Sequence, residues 1–165
     1  MEKEKIVGII FVSIIAIFLL IDQNPFVSKE EKFQESILRI RDLAYIKWIG
    51  NVSNDIESHI KTIADPKDSN SAELHARLLK EQMQYDIIRT EQLQTSPELE
   101  PLTVEFKKYL TDYYNTGRLI EIGIKSNDRD SIDKAINYSK DGYGAMEDIS
   151  KLVEDYMKKN NVKIK

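Results

Sequence analysis

Apolar positions along most of the chain recur in steps of three and four residues, which is the period of an amphipathic helix. The spacing predicts four helices, at residues 28–64, 71–95, 97–126 and 129–158. Short connections place consecutive helices antiparallel. We therefore predict an all-α protein with an up-down-up-down four-helix bundle over residues 28–160 and a short tail at 161–165. A three-helix bundle with a detached first helix is the alternative.

Turn-forming residues mark the ends of the predicted helices. Ser28 begins a capping box with Glu31, in which each side chain bonds the backbone of the other residue. Pro66 ends the first helix, because the residue before a proline avoids helical angles. Pro97 opens the third helix at a position where its missing N–H has no cost. The polar segment 126–128 separates the last two helices.

A different pattern occupies the N-terminus, where residues 6–21 read IVGIIFVSIIAIFLLI without a charge. A run that is apolar on every face is typical of a membrane-spanning helix. Its length of about 24 Å is shorter than a hydrocarbon core of roughly 30 Å, and Lys5 can snorkel at its start. We therefore predict that the segment from Ile6 to Ile21 inserts into a lipid bilayer, and that residues 1–27 form an anchor and linker.

Two alternatives to an uncleaved anchor are a cleaved secretory signal and a buried core helix. A cleaved signal requires small residues before its cut, whereas bulky Phe26 lies two positions before Ser28. The N-terminal flank carries Lys3, Lys5 and the α-amine, against two lysines on the far flank. Because positive charge favours the cytoplasmic side, this bias predicts a single-pass membrane protein with an extracytoplasmic C-terminal domain.

Composition narrows the range of functions. The 165 residues carry 24 basic and 28 acidic side chains, a net charge of −4 with intermixed signs. Nucleic-acid binding requires a basic face, so nucleic acid is not an expected partner. The absence of Cys excludes disulfides and thiolate metal sites. No phosphate-binding loop, zinc-protease motif or nucleophile elbow occurs, so we predict neither an enzyme nor a cofactor-binding protein.

The two histidines form a weak metal candidate. His59 and His75 lie at nearly the same distance from the first turn, so an antiparallel hairpin brings them together. Asp55 lies one turn before His59, and two imidazoles with a carboxylate can bind zinc. His59, however, falls on the apolar stripe of its helix, where a hydrogen-bonded histidine at the core edge is the usual finding. We therefore predict no metal site.

The predicted topology also places aromatic residues at common levels of the bundle. Trp48, Tyr85, Phe106 and Ile149 fall in one layer, with Tyr113 further along the third helix. We interpret this layer as an aromatic core. The alternative is a wall that binds a small apolar ligand.

In the second and fourth helices, larger apolar residues define the stripes that we expect to face the core. The stripe of the second helix is Leu74, Leu78, Tyr85, Ile88 and Gln92. The stripe of the fourth helix is Ile132, Ile136, Ser139, Tyr143, Met146, Ile149, Val153 and Tyr156. Gly142 and Gly144 lie opposite Tyr109 and Tyr113, and we interpret both glycines as small residues that permit close packing. A notch or hinge is the alternative.

The first predicted helix is longer than its neighbours, so residues 28–38 should project beyond the bundle by about 15 Å. Phe33, Ile37 and Leu38 on this stalk need an apolar partner. The tail at Val162 and Ile164, a second copy of the chain and another membrane protein are the three alternatives. We favour self-association.

These patterns favour a membrane-anchored helical bundle that acts as an interaction module, with itself or another membrane protein as partner. The alternative is a ligand-sensing four-helix bundle that signals through a separate protein. Neither the partner nor the ligand can be identified from the residues.

Overall fold

The computed structural model describes residues 29–162, with side chains from residue 34 onwards, and this part of the chain contains no strand. The four α-helices are α1 (Lys29–Ala64), α2 (Ser69–Gln92), α3 (Glu100–Ser126) and α4 (Arg129–Lys159). A 3-10 turn at Pro97–Leu99 leads into α3. Each helix begins and ends within a few residues of its prediction, so the all-α four-helix bundle is confirmed.

Side-chain and backbone hydrogen bonds fix the helix ends. Asp68 caps α2 by accepting from the Ser71 N–H at 2.7 Å, and Asp128 caps α4 by accepting from the Asp130 N–H at 3.1 Å. Asn127 ends α3 in the left-handed conformation with φ 51°. The predicted capping box at the start of α1 involves Ser28, which lies outside the described residues.

Consecutive helices are antiparallel, as contacts between α1 and α2 show. His59 near the end of α1 meets His75 near the start of α2, and Arg41 early in α1 reaches Gln94 just beyond the end of α2. The ion pairs between α2 and α3 and the close approaches between α3 and α4 follow the same order. The topology is therefore up-down-up-down. We name the end with the start of α1 and the end of α4 the proximal pole, and the opposite end the distal pole.

The interior is filled by large apolar side chains from all four helices. The most fully buried of these are Ile49, Ile56, Leu79, Met83, Leu99, Leu102, Phe106, Leu110 and Ile149. Burying each such side chain stabilises the fold by about 1.5–3 kcal/mol. Val162 from the C-terminal tail joins this cluster with 7% of its surface exposed, and closes the core at the proximal pole.

Small residues allow α3 to approach its neighbours closely. A Cβ added to Gly117 would lie 2.6 Å from the Ala76 carbonyl oxygen on α2. One added to Gly142 on α4 would lie 2.7 Å from the Tyr113 ring, so the close packing predicted for Gly142 is confirmed. The same prediction for Gly144 is wrong, because nothing lies within 4 Å of its added Cβ.

Close approach also decides which face of α2 enters the core. The buried residues of α2 are Ala72, Ala76, Leu79, Met83, Asp86 and Thr90. The predicted inward side, which includes Leu74, Leu78, Tyr85 and Ile88, is exposed, so that prediction is wrong. The helix carries two apolar faces, and the one with alanines at its distal end packs inward because only small residues fit against Gly117.

In the first half of α4, small residues are likewise buried and larger apolar residues are exposed. Ile136 and Tyr143, predicted to face the core, are 48% and 60% exposed. Ala135, Gly142 and Ala145 occupy the buried positions instead. Towards the proximal pole the predicted stripe holds, since Ile149, Val153 and Tyr156 are buried.

No helix within residues 29–162 combines the length and apolarity needed to cross a membrane. The predicted anchor at 6–21 and its linker lie outside the residues that the structure describes. So does Ile164 of the tail.

Candidate interaction surface

The outward face of α2 carries a row of exposed apolar side chains. Leu74, Leu78, Tyr85 and Ile88, hereafter the outer stripe, are 43%, 39%, 64% and 50% exposed. At 100° per residue they lie on the side of α2 opposite its buried face. Sequence reasoning found these residues but assigned them to the core. A second row at the same spacing, beginning with Ala72 and Ala76, was the signal that α2 has two apolar faces.

Charged and polar residues border the outer stripe. Glu81 interrupts the stripe itself, between Leu78 and Tyr85. Arg77 and Glu91 lie two heptads apart and therefore on the same side of the stripe. Glu91 also pairs with Lys107 of α3 at 2.6 Å, and both of these side chains are substantially exposed. The stripe thus has a polar rim, as protein interfaces do.

The aromatic layer is present with one correction. Trp48 and Phe106 contact edge to face with ring centroids 5.3 Å apart, and Phe106 is fully buried. Tyr109 connects them to Tyr113 through ring contacts of 5.9 and 5.0 Å. Tyr85 does not belong to this layer, because the buried position beside it on α2 is taken by Asp86. The rings of this layer contact one another, as in the predicted aromatic core. The alternative, a wall that binds a small apolar ligand, stays a prediction.

Two arginines at this level bind groups within the fold. The Arg89 guanidinium lies 5.0 Å from the Trp48 ring centroid, a cation–π contact between α2 and α1. Arg41 donates to the Gln94 carbonyl oxygen and to the Gln94 side-chain oxygen, at 2.9 and 2.8 Å. Both side chains thereby fasten α1 to α2.

The structure brings His59 and His75 together near the distal pole. Their Nδ1 atoms lie 3.1 Å apart, and both side chains are half-buried. Burial and the charge of His75 lower the pKa of His59, while Gln82 and Asp55 act in the opposite direction. Across residues 29–162 no group of three or more His, Cys, Asp or Glu is placed to hold a metal ion. At 3.1 Å one imidazole donates to the other, so the pair forms a hydrogen bond between α1 and α2.

A buried carboxylate that sequence reasoning missed organises the proximal pole. Asp42 is 2% exposed and accepts from the Ser96 N–H at 2.8 Å and the Tyr156 hydroxyl at 3.0 Å. Burial and this bond to Asp42 raise the pKa of Tyr156. Nearby, Arg39 donates to the Asn160 carbonyl oxygen. The position of Asp42 beside the apolar stripe of α1 was the signal that could have indicated its burial. A carboxylate buried there needs hydrogen-bond donors from other parts of the chain.

Two further acids are buried with fewer donors. Burial raises the pKa of Asp86, and the charge of Arg89 partly opposes this rise. Burial and the charge of Asp141 raise the pKa of Asp112. Both carboxylates therefore destabilise the fold when they are ionised.

The predicted stalk begins where the other helices end. Arg39 donates to the Asn160 carbonyl oxygen just beyond the end of α4, and Asp42 accepts from Ser96 beyond the end of α2, so the first turns of α1 run past both ends. Ile37 and Leu38 at this level are half-buried, and the side chain of Phe33 lies outside the described part of the chain. Self-association through this segment stays a prediction.

The fold and surface together define an all-α four-helix bundle with a polar-rimmed apolar stripe on one helix. Compared with protein-family models, curated proteins and solved structures, the chain matches none of them.

Proposed function

We propose that this protein is a membrane-tethered interaction module whose outer stripe binds an amphipathic helix. The observation that carries the proposal is the exposure of Leu74, Leu78, Tyr85 and Ile88 on a helix whose opposite face is already buried. Large apolar side chains exposed along one face of a helix commonly mark sites of interaction with other proteins.

The shape of the outer stripe favours a helix as its ligand. From Leu74 to Ile88 it extends about 21 Å, at the 1.5 Å rise of an α-helix. It is narrow, with steps of three, four and seven residues along one face. Such a row packs against the apolar row of a second helix, while the exposed side chains of Arg77 and Glu91 flank the contact.

The second half of the proposal is the tether. Residues 6–21 insert into a bilayer as an uncleaved anchor, and the bundle lies on the extracytoplasmic side. The uncharged apolar run and the slight excess of positive charge before it support this arrangement.

Docking is tested by photo-crosslinking of the full chain in intact membranes. Tyr85 is replaced by p-benzoylphenylalanine, and the matched control carries the same group at Lys47, an exposed position on α1. We expect discrete adducts from position 85 only, and we expect Leu78→Glu to abolish them. An absence of adducts at position 85, or equal adducts at position 47, contradicts docking at the outer stripe.

The tether is tested separately, by alkaline carbonate extraction and external protease. We expect the full chain to stay with the membrane and its bundle to be degraded from outside in spheroplasts. Release by carbonate rules out an inserted anchor. Resistance of the bundle to protease, together with membrane retention, reverses the topology.

A further inference from the structure

We propose that the helix bound by the outer stripe is α2 of a second copy of this chain, in antiparallel orientation. This inference rests on the proposed function, because it names the ligand of the same surface. The extended row of the stripe is Leu74, Leu78, Glu81, Tyr85, Ile88 and Gln92. Its steps of four, three, four, three and four residues read the same from either end. Two copies related by a twofold axis near residue 83 therefore present matching rows to each other. Because this axis exchanges the proximal and distal poles, two copies tethered to one bilayer pair in this way with α2 lying along the membrane surface and the axis perpendicular to it.

The antiparallel register gives the four central side chains of the row compatible neighbours. Leu78 packs against Ile88 of the second copy, and the symmetry repeats this apolar contact. Glu81 meets Tyr85 of the second copy, whose hydroxyl can donate to the carboxylate. The charge within the row thereby gains a hydrogen-bond donor in both halves of the interface.

The parallel register is disfavoured by the same residue. It would place Glu81 directly against Glu81 of the second copy, and like charges within the packed row of a helix pair oppose association. Glu81 is thus a specificity element that selects the antiparallel arrangement.

The rim charges complement each other only in the antiparallel pair. Arg77 and Glu91 lie on the same side of α2, each just beside the row. Reversal of the second copy places its Glu91 next to Arg77, and symmetry creates the same pair again. Because Glu91 is exposed where it meets Lys107, a second cation can approach it from the open side.

Disulfide formation between single-cysteine variants tests the register, since the chain has no native Cys. Leu78→Cys and Ile88→Cys chains with different tags are purified in full length, mixed and oxidised. We expect the mixed 78–88 dimer to dominate. Two copies of residue 78 lie about 15 Å apart in this arrangement, too far for a disulfide. A Leu38→Cys chain reports on association through the stalk, and Lys47→Cys controls for collision.

The outcomes separate the competing arrangements. Dimers formed by each α2 variant alone indicate the parallel register and overturn the inference. Dimers from Leu38→Cys alone place self-association at the stalk and also overturn it. If no α2 cysteine links but the photo-probe at position 85 still captures another protein, the second copy is wrong and the interaction module stands. If neither α2 probe reacts, both proposals are wrong.

Charge reversal at the rim provides a second readout that does not depend on the core of the stripe. We expect Arg77→Glu and Glu91→Arg each to weaken dimerisation about tenfold in sedimentation equilibrium, since each variant places two like-charged pairs at the rim. The double variant restores opposite charges and should recover most of the dimer. Circular dichroism confirms that each variant is folded. A double variant as weak as the single ones contradicts the proposed rim pairs.

Discussion

Two buried carboxylates of this bundle differ in the number of hydrogen-bond donors around them. Asp42 receives a backbone N–H and a tyrosine hydroxyl, which offset the loss of water around its charge. Asp86 projects from α2 into the interior of the bundle, where burial raises its pKa. The two residues have the same side chain, but Asp42 has two donors, whereas one oxygen of Asp86 has none within the described residues.

We expect Asp86→Asn to stabilise the fold at neutral pH by about 1 kcal/mol, because it removes a charge from a poorly solvated position. At pH above the raised pKa of Asp86, the folded wild-type chain carries this charge at a cost. As the pH falls through that pKa, the folded state takes up a proton before the unfolded state does, and the cost disappears. The advantage of Asn should therefore shrink on acidification, as measured by urea unfolding from pH 7 down to pH 4.

An unchanged or lower stability of Asp86→Asn at pH 7 would show that Arg89 compensates the charge fully. The matched control is Asp133→Asn, on an exposed position of α4, which should leave stability nearly unchanged.

The histidine pair adds a pH dependence of the opposite sign. Burial and the charge of His75 lower the pKa of His59, and Asp55 provides only a partial counter-effect. Below about pH 6.5 the unfolded chain binds a proton that folded His59 does not, so stability falls as the pH decreases. Between pH 7.5 and pH 5.5, His59→Gln should make the free energy of unfolding less dependent on pH, by an amount that corresponds to at most one proton. Identical pH slopes for the two chains would contradict the role of the pair.

At the scale of whole helices, the distance between neighbouring helices decides which face of α2 and of α4 is buried, more than the hydropathy of that face does. The lengths of α1 to α4 follow from prolines, caps and the three-four spacing, all of which act locally and can be recognised in the sequence. The faces of α2 and α4 could not be predicted from large apolar residues alone. Ala76 and Ala135 enter the core because neighbouring helices lie close there, and Tyr85 and Tyr143 consequently face outward.

Two glycines provide a matched test of this packing. We expect Gly117→Ala to destabilise the bundle by about 2 kcal/mol, because its Cβ would lie 2.6 Å from the Ala76 carbonyl oxygen. Gly144→Ala should stabilise it by up to about 1 kcal/mol, since the position is helical and open. Thermal and urea unfolding of both variants measure the difference. Equal effects in the two variants would contradict a close contact between α2 and α3.

At the scale of the whole molecule, the described bundle has a core of its own that draws on all four helices. We expect a chain that lacks residues 1–27 to keep its helical circular dichroism and to unfold cooperatively. The same truncation should move the protein from the membrane fraction to the supernatant. Loss of helical signal on truncation would show that the N-terminal segment belongs to the fold and would contradict a separate anchor.

The candidate interaction surface could be predicted from the sequence only in part. Its residues and spacing were evident, but their exposure depends on which of two competing faces of α2 is buried, and that choice involves contacts with α3 that are remote in sequence. The histidine pair could be foreseen, since equal distances from one turn suffice to bring two residues together.

Both ends of the described chain lie at the proximal pole, where Asp42 and Tyr156 join α1 to α4. A mechanical load applied between these ends would pull the two helices apart from that pole, breaking contacts one after another instead of shearing them together. The bundle should consequently yield at low force in an optical trap when held by its ends. Attachment at the two opposite poles should make it far more resistant.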